Sequence, residues 1–186
     1  LDSRGEPSFG RKALAILALG LAVFLGSGAF VFLNTNVRNT YVTSPERETR
    51  IADMEKELLR FESLPQPRVT AVTLDVALFP KEVRAVTTGT FVLENRTKEP
   101  IPAIHVRWEE RARMDSLEME GAVIDEEWPR FHYRVYKLAK PMAPGDKVTL
   151  RFATTLEEKG FPNASPLTRI VDNGTFLNND EIAPRI

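Results

Sequence analysis

The run from Ala13 to Leu33, ALAILALGLAVFLGSGAFVFL, constrains this chain more than any other stretch. It holds no charge, no proline, no asparagine and no glutamine. At roughly 1.5 Å per residue, a helix over it is about 30 Å long, the hydrocarbon thickness of a bilayer. A helix in a water-soluble domain keeps a polar face, and this run has none. The expectation is a transmembrane helix over residues 13–33. A secretory signal peptide is the rival reading, because Arg11 and Lys12 precede the run. The apolar core of a signal peptide is ordinarily shorter, about 7–15 residues. Here Phe30-Val31-Phe32-Leu33 continues past Ser27-Gly28-Ala29, the stretch where a cleavage site would fall. The chain opens at Leu1, which reads as a fragment of a longer protein with residues 1–12 as a cytoplasmic loop. Arg11 and Lys12 place that loop inside and Asn34 onward outside. Ala18, Ala22 and Gly26 give one face of the helix a small-residue pattern suited to packing on other membrane helices.

What remains is enough for one ordinary domain and a connector. The formal net charge is -1, so the chain has no electrostatic footprint for nucleic acid. It has no cysteine, which excludes disulfides, thiolate nucleophiles and cysteine-bound zinc. Three Asn-x-Ser/Thr matches, at Asn95, Asn163 and Asn173, are short enough to arise by chance and carry no weight.

Residues 34–66 read as an extracytoplasmic connector. Ser44-Pro45 has the form of an N-cap followed by proline in the first helical turn, and Glu46 and Glu48 favour the same start. Ile51, Met54, Leu58 and Phe61 then recur at spacings that share one helix face. The expectation is a solvated amphipathic stalk helix over about 45–61 with a narrow packing stripe. Leu64-Pro65-Gln66-Pro67 ends it.

Beyond residue 67 the period becomes two. Val72, Leu74, Val76 and Leu78 alternate with smaller or polar neighbours, as in a half-buried strand. Ala85 to Glu94 reads as its partner, with Phe91 and Leu93 inward and Gly89 marking a bulge or a close approach. Ile104, Val106 and Trp108 suggest a third strand, 117–125 and 131–138 further ones, and Val148, Leu150 and Phe152 another. Thr168 to Phe176 is the expected last strand. Short strands split by Pro, Gly and Asn turns imply a mainly β fold, an antiparallel sandwich or saddle over 67–186. The polar stretch Asn178-Asn179-Asp180-Glu181 before the end at Ile186 reads as a second cut edge.

Chemistry is sparse. His105 and His132 are the two histidines, with no second ligand at helical or hairpin spacing, and both read as solvent-facing. Glu109-Glu110, Asp125-Glu126-Glu127 and Glu157-Glu158 lack the Asp/Asn-Gly pattern of a calcium loop and read as solvated turn charge. No nucleophile elbow, phosphate loop or His-Glu-x-x-His occurs. The sequence supplies no catalytic residue and no metal ligand.

Three stretches go further: Phe32-Leu33-Asn34-Thr35-Asn36-Val37 with Tyr41; Leu64-Pro65-Gln66-Pro67-Arg68-Val69-Thr70-Ala71-Val72; and Asp172-Asn173-Gly174-Thr175-Phe176-Leu177-Asn178-Asn179 with Pro184. Together they resemble a bacterial family of ABC-transporter permeases fused to a membrane alanyl aminopeptidase-like zinc metallopeptidase. Thr73 to Asn95 and Leu138 to Asp146 resemble strand-turn-strand pieces of the same aminopeptidases. The resemblance implies that Arg68 to about Ile186 is the amino-terminal β-saddle and that the chain sits in the bacterial inner membrane with this domain in the periplasm. It implies no cofactor in this chain and zinc in a catalytic domain beyond Ile186. The implied partners are the lipid bilayer, that catalytic domain, other membrane helices, an ABC ATPase and a peptide substrate, with no nucleic acid.

In the family, a Gln or Glu shortly after a Thr helps bind the free amino end of the substrate. Here Thr175 is followed by Phe176, Leu177, Asn178 and Asn179, so the implied substrate-binding residues are Asn178 and its neighbour Asn179. Asparagine is shorter and uncharged, and it binds an ammonium less strongly than a carboxylate does. The alternative for Asn178 is a turn residue that satisfies local backbone. For the chain as a whole, one alternative is a zinc-free binding or scaffold module accessory to the transporter. Another is an unrelated single-span protein with an adhesive sandwich domain.

Overall fold

The computed structural model describes residues 10–163 and 169–186. The chain divides into two compact units, Leu1–Tyr41 with Lys159–Ser165 and Val42–Glu158 with Pro166–Ile186.

The first unit is built on α1, Arg11–Phe32, which continues into a π-helical turn over Leu33–Val37. No residue of α1 is buried. By length and composition this is a helix able to cross a membrane. At its end, side chains add hydrogen bonds to carbonyls of the preceding turn. Asn34 Nδ2 donates to Phe30 O at 2.8 Å, and Thr35 Oγ1 donates to Val31 O at 3.0 Å.

The second unit is mainly antiparallel β. It starts with α2, Ser44–Leu58. The cap falls one residue earlier than the expected Ser44. Thr43 is the N-cap because Glu46 stands three residues on and closes a capping box. A single 3₁₀ turn over Leu59–Phe61 ends the helix. Seven strands follow: β1 Arg68–Phe79, β2 Arg84–Glu94, β3 Ile101–Arg107, β4 Ala112–Met119, β5 Ala122–Trp128, β6 Tyr133–Met142 and β7 Lys147–Glu157. They form a four-stranded sheet in the order β1-β2-β7-β4 and a three-stranded sheet in the order β3-β6-β5. A short α3, Asn179–Ile182, completes the unit.

The core lies between the two sheets. Phe91, Leu93, Leu117, Leu150 and Phe152 face Ile104, Val106, Tyr136, Leu138 and Met142 across it. Each such side chain contributes roughly 1.5–3 kcal/mol on burial, which makes this the main source of cohesion. Gly89 proves to be a close approach and not a bulge. Its pairing with Leu74 and Phe152 is regular, and an added Cβ would lie 2.3 Å from the Phe152 ring.

Three expectations need correction. Residues 117–125 are not one strand: the chain turns at Glu120-Gly121, where Gly121 takes φ +67°, and β4 and β5 enter different sheets. Residues 169–176 form no strand, and Thr168 lies outside the described residues. Among the described residues after β7, an isolated bridge pairs Arg185 with Arg107. Strand β1 is not half-buried along its length. Val72, Val76 and Leu78 pair with Phe91, Thr87 and Ala85 and so share the inner face, yet they are 55%, 37% and 44% exposed. The three-stranded sheet covers β2, β7 and β4 and leaves β1 overhanging, with Leu74 alone packed against the core. The packing stripe expected on α2 is in use. Met54, Leu58 and Phe61 pack on Phe131, Tyr133 and Val135 on the outer face of the three-stranded sheet, while Ile51 stays exposed. Ion pairs Arg50–Glu110, Asp53–Arg130 and Arg60–Glu126 flank that contact, so part of the expected turn charge is paired.

Candidate functional site

Asn178 and Asn179 stand at the start of α3. Asn178 is the N-cap, and its backbone N–H donates to the Glu181 carboxylate at 2.7 Å in a capping box. Arg169 Nη1 donates to the other oxygen of Glu181, also at 2.7 Å. Asn179 O accepts from Ala183 N at 2.9 Å. Both asparagines are exposed. The helix they open is fastened to the sheet: Thr154 Oγ1 donates to Ile182 O at 2.5 Å, and Ile182 packs with Ala85, Leu156 and Ile170. Asn178 therefore has a local structural task, and the same task leaves it at the surface.

The histidines behave differently from the sequence reading. His105 is 7% exposed, not solvent-facing. Alternation from the inward Ile104 and Val106 sends its ring to the outer face of β3, and that face is covered by Phe61 from the end of α2. The Phe61 and His105 rings are 4.6 Å apart. His105 Nδ1 is 2.8 Å from Tyr133 Oη, and the His105 backbone N–H donates to Gln66 Oε1 at 2.9 Å. Burial pushes the His105 imidazole below its ordinary value; the Glu126 carboxylate opposes this and Arg60 adds to it. A neutral ring that accepts the Tyr133 hydroxyl at Nδ1 carries its hydrogen on Nε2. Burial pushes the Tyr133 hydroxyl up, against the pull of Arg107. His132 sits in the left-handed region at φ 52°, and burial lowers its imidazole as well, with Glu110 opposing.

Phe61, Gln66, His105, Arg107 and Tyr133 line a cleft of about 310 Å³ together with Glu62, Leu64, Arg185 and Ile186, and His132 lies outside it. Neither Asn178 nor Asn179 lines it. The cleft escaped sequence reading because its parts come from residues 61–66, 105–107, 133 and 185–186. The one signal was the α2 stripe, which needed an apolar surface to lie on. Chemically, the cleft offers an imidazole tied to a phenol, and burial favours the neutral form of the ring. Among the described residues no group of three or more His, Asp or Glu side chains is placed to hold a metal ion. The described residues do not fit a zinc centre, and no metal step is assigned to them.

The two imidazoles give a pH dependence with a defined sign. The unfolded chain binds more protons at His105 and His132 than the folded chain does. Their contribution is complete above about pH 6.5 and is lost as pH falls below it. The urea midpoint of the second unit should drop between about pH 7.5 and pH 5.5, and His105→Asn should flatten that drop. A midpoint that rises toward pH 5.5 contradicts the burial argument.

No family model matches this chain, and no curated protein matches it. Among solved structures it is similar to an M1 zinc metallopeptidase from Deinococcus radiodurans, at 20% identity over 52% of this chain and 22% of that one, with a TM-score of 0.40. A mutant M1 zinc metallopeptidase from the same organism, bound to a Tyr-Ser-Ala substrate, matches at 18% identity over 50% and 21% of the two chains, with a TM-score of 0.39. A two-domain M1 zinc metallopeptidase bound to L-tryptophan matches at 20% over 51% and 22%, with a TM-score of 0.40. This chain thus spans about a fifth of the length of those proteins. At these identities and TM-scores, the similarity carries no argument about activity.

Proposed function

We propose that this chain is the membrane-anchored, non-catalytic amino-terminal part of a zinc aminopeptidase-like protein fused to a transporter permease. On this reading α1 is the last membrane span, and the β unit lies on the periplasmic side of a bacterial inner membrane. The β unit positions a catalytic domain that follows it and walls the pocket for the substrate amino end. Zinc belongs to that later domain. The observation that carries the reading is the overhang of β1. An apolar inner face at Val72, Val76 and Leu78 runs on from a packed core and has no described residue covering it. A face of this kind marks a surface meant for another domain. The motif resemblance supports it, since Thr73–Asn95 and Leu138–Asp146 fold as the β1–β2 hairpin and the β6–β7 turn.

The pocket-wall role is tested at Asn178 in the full-length protein. Asn178→Asp keeps the N-cap chemistry and adds a carboxylate. It should lower KM for peptides with a free amino end, while Asn178→Ala should raise it, and neither should act on amino-blocked peptides. Equal kinetics in both variants would leave Asn178 as a cap alone. That outcome favours the second reading, a zinc-free binding or scaffold module accessory to an ABC transporter, to which the capping role of Asn178 already lends weight.

A further inference from the structure

We propose that the loop leaving β7, Lys159 to Phe161, is a second membrane anchor that sets the Phe161 ring in the lipid boundary beside α1. The proposal rests on reading α1 as a membrane span. The Phe161 ring packs on the Phe30 ring, with centroids 5.7 Å apart and planes at 52°. Phe30 lies three positions before Leu33, the last residue of the apolar run. At roughly 1.5 Å per residue, that is about 4–5 Å inside the polar end of the span. A ring in contact with Phe30 shares its depth. Phe30 is 61% and Phe161 37% exposed, so the pair extends the apolar surface of α1 sideways without a described residue over it.

The polar groups beneath are arranged to hold the loop there. Asn34 and Thr35 are buried, 3% and 9% exposed, although they follow a helix with no buried residue. Asn39 Nδ2 donates to Asn34 O at 2.8 Å and to Lys159 O at 2.7 Å, tying the loop backbone to the turn. Gly160 adopts φ +69°, and a Cβ there would lie 2.2 Å from Asn34 Oδ1. No other residue type allows so close a contact in that conformation. The occupant of the aromatic surface is lipid, because it continues the all-round apolar surface of α1 and carries no polar or charged atom of its own.

The chain has no cysteine, so one introduced cysteine reports one position. Phe161→Cys and Leu21→Cys in the full chain, each labelled with the fluorophore NBD, are reconstituted into phosphatidylcholine vesicles. Quenching is read from lipids with a doxyl group high in the acyl chain and from aqueous iodide. The label at 161 should be quenched several-fold more by doxyl lipid than by iodide, with blue-shifted emission. Adding Gly160→Val should reverse that preference at 161 and leave the label at 21 unchanged. A label at 21 quenched by lipid beside a label at 161 quenched by iodide overturns the anchor and leaves the span standing. A label at 161 shielded from both quenchers lies against protein and overturns lipid as the partner. Iodide quenching at both positions removes the span and the anchor together.

Discussion

Replacing Gly89 with valine should cost the β unit about 3 kcal/mol, at the upper end for overpacking a core. The urea midpoint of the full chain in detergent should fall sharply with an unchanged slope. The reason is a three-strand stack. Gly89 on β2 stands between Leu74 on β1 and Phe152 on β7, and a Cβ there would lie 2.8 Å from Leu74 Cδ2 and 2.3 Å from the Phe152 ring. The ring cannot swing away. It is 3% exposed and held edge-on by Phe91, with centroids 4.9 Å apart. Gly174→Ala is the control: an added Cβ meets nothing within 4 Å, so the change should stay within about 0.5 kcal/mol. Equal midpoints for Gly89→Val and the parent would show that this stack is not packed as described.

Asn95→Ala should be comparably severe, about 3 kcal/mol, because it strands several polar groups at once. Asn95 is 1% exposed. Its Nδ2 donates to Glu99 O at 2.9 Å and to Met142 O at 2.8 Å. Its Oδ1 accepts from Thr97 N at 2.9 Å and Thr97 Oγ1 at 2.7 Å. The backbone adds bonds to Asp146 and Gly145. One side chain thus ties the β2–β3 turn to the β6–β7 turn. Asn95→Asp keeps the acceptor but turns a buried oxygen toward the Glu99 and Met142 carbonyls, so its midpoint should fall at least as far as that of alanine. An exposed-site effect below about 0.5 kcal/mol for alanine would contradict the network. The same burial closes Asn95 to any glycan, whatever the Asn-Arg-Thr spelling suggests.

The parts of this fold that were legible in the sequence are those set by local periodicity. Val72 to Leu78, Phe91 and Leu93, and Val148 to Phe152 announced strands because alternate residues must face one core. The Ala13–Leu33 run announced its helix by length alone. What stayed hidden depends on what lies across from an element. Periodicity marked an inner face on β1, but the width of the opposing sheet decides whether that face is covered, and three strands do not reach β1. His105 read as exposed because alternation says only that it faces away from Ile104 and Val106, and the α2 stripe then covers that outer face. The break at Gly121 was legible in principle, since a glycine between Glu120 and Ala122 marks a turn. Apolar residues on both sides masked it. The site residues Asn178 and Asn179 came from resemblance, and their position at a helix start is as close as local chemistry brings them to a role.

The proposed service of this chain to a zinc aminopeptidase is tested most directly by metal analysis of the full-length protein purified from membranes, paired with a peptide hydrolysis assay. The full-length protein should carry about one zinc per chain and release the first residue from peptides with a free amino end, an activity abolished by a chelator and restored by zinc. A full-length protein without zinc and without that activity would contradict the account, and the β unit would then serve as a binding or scaffold module.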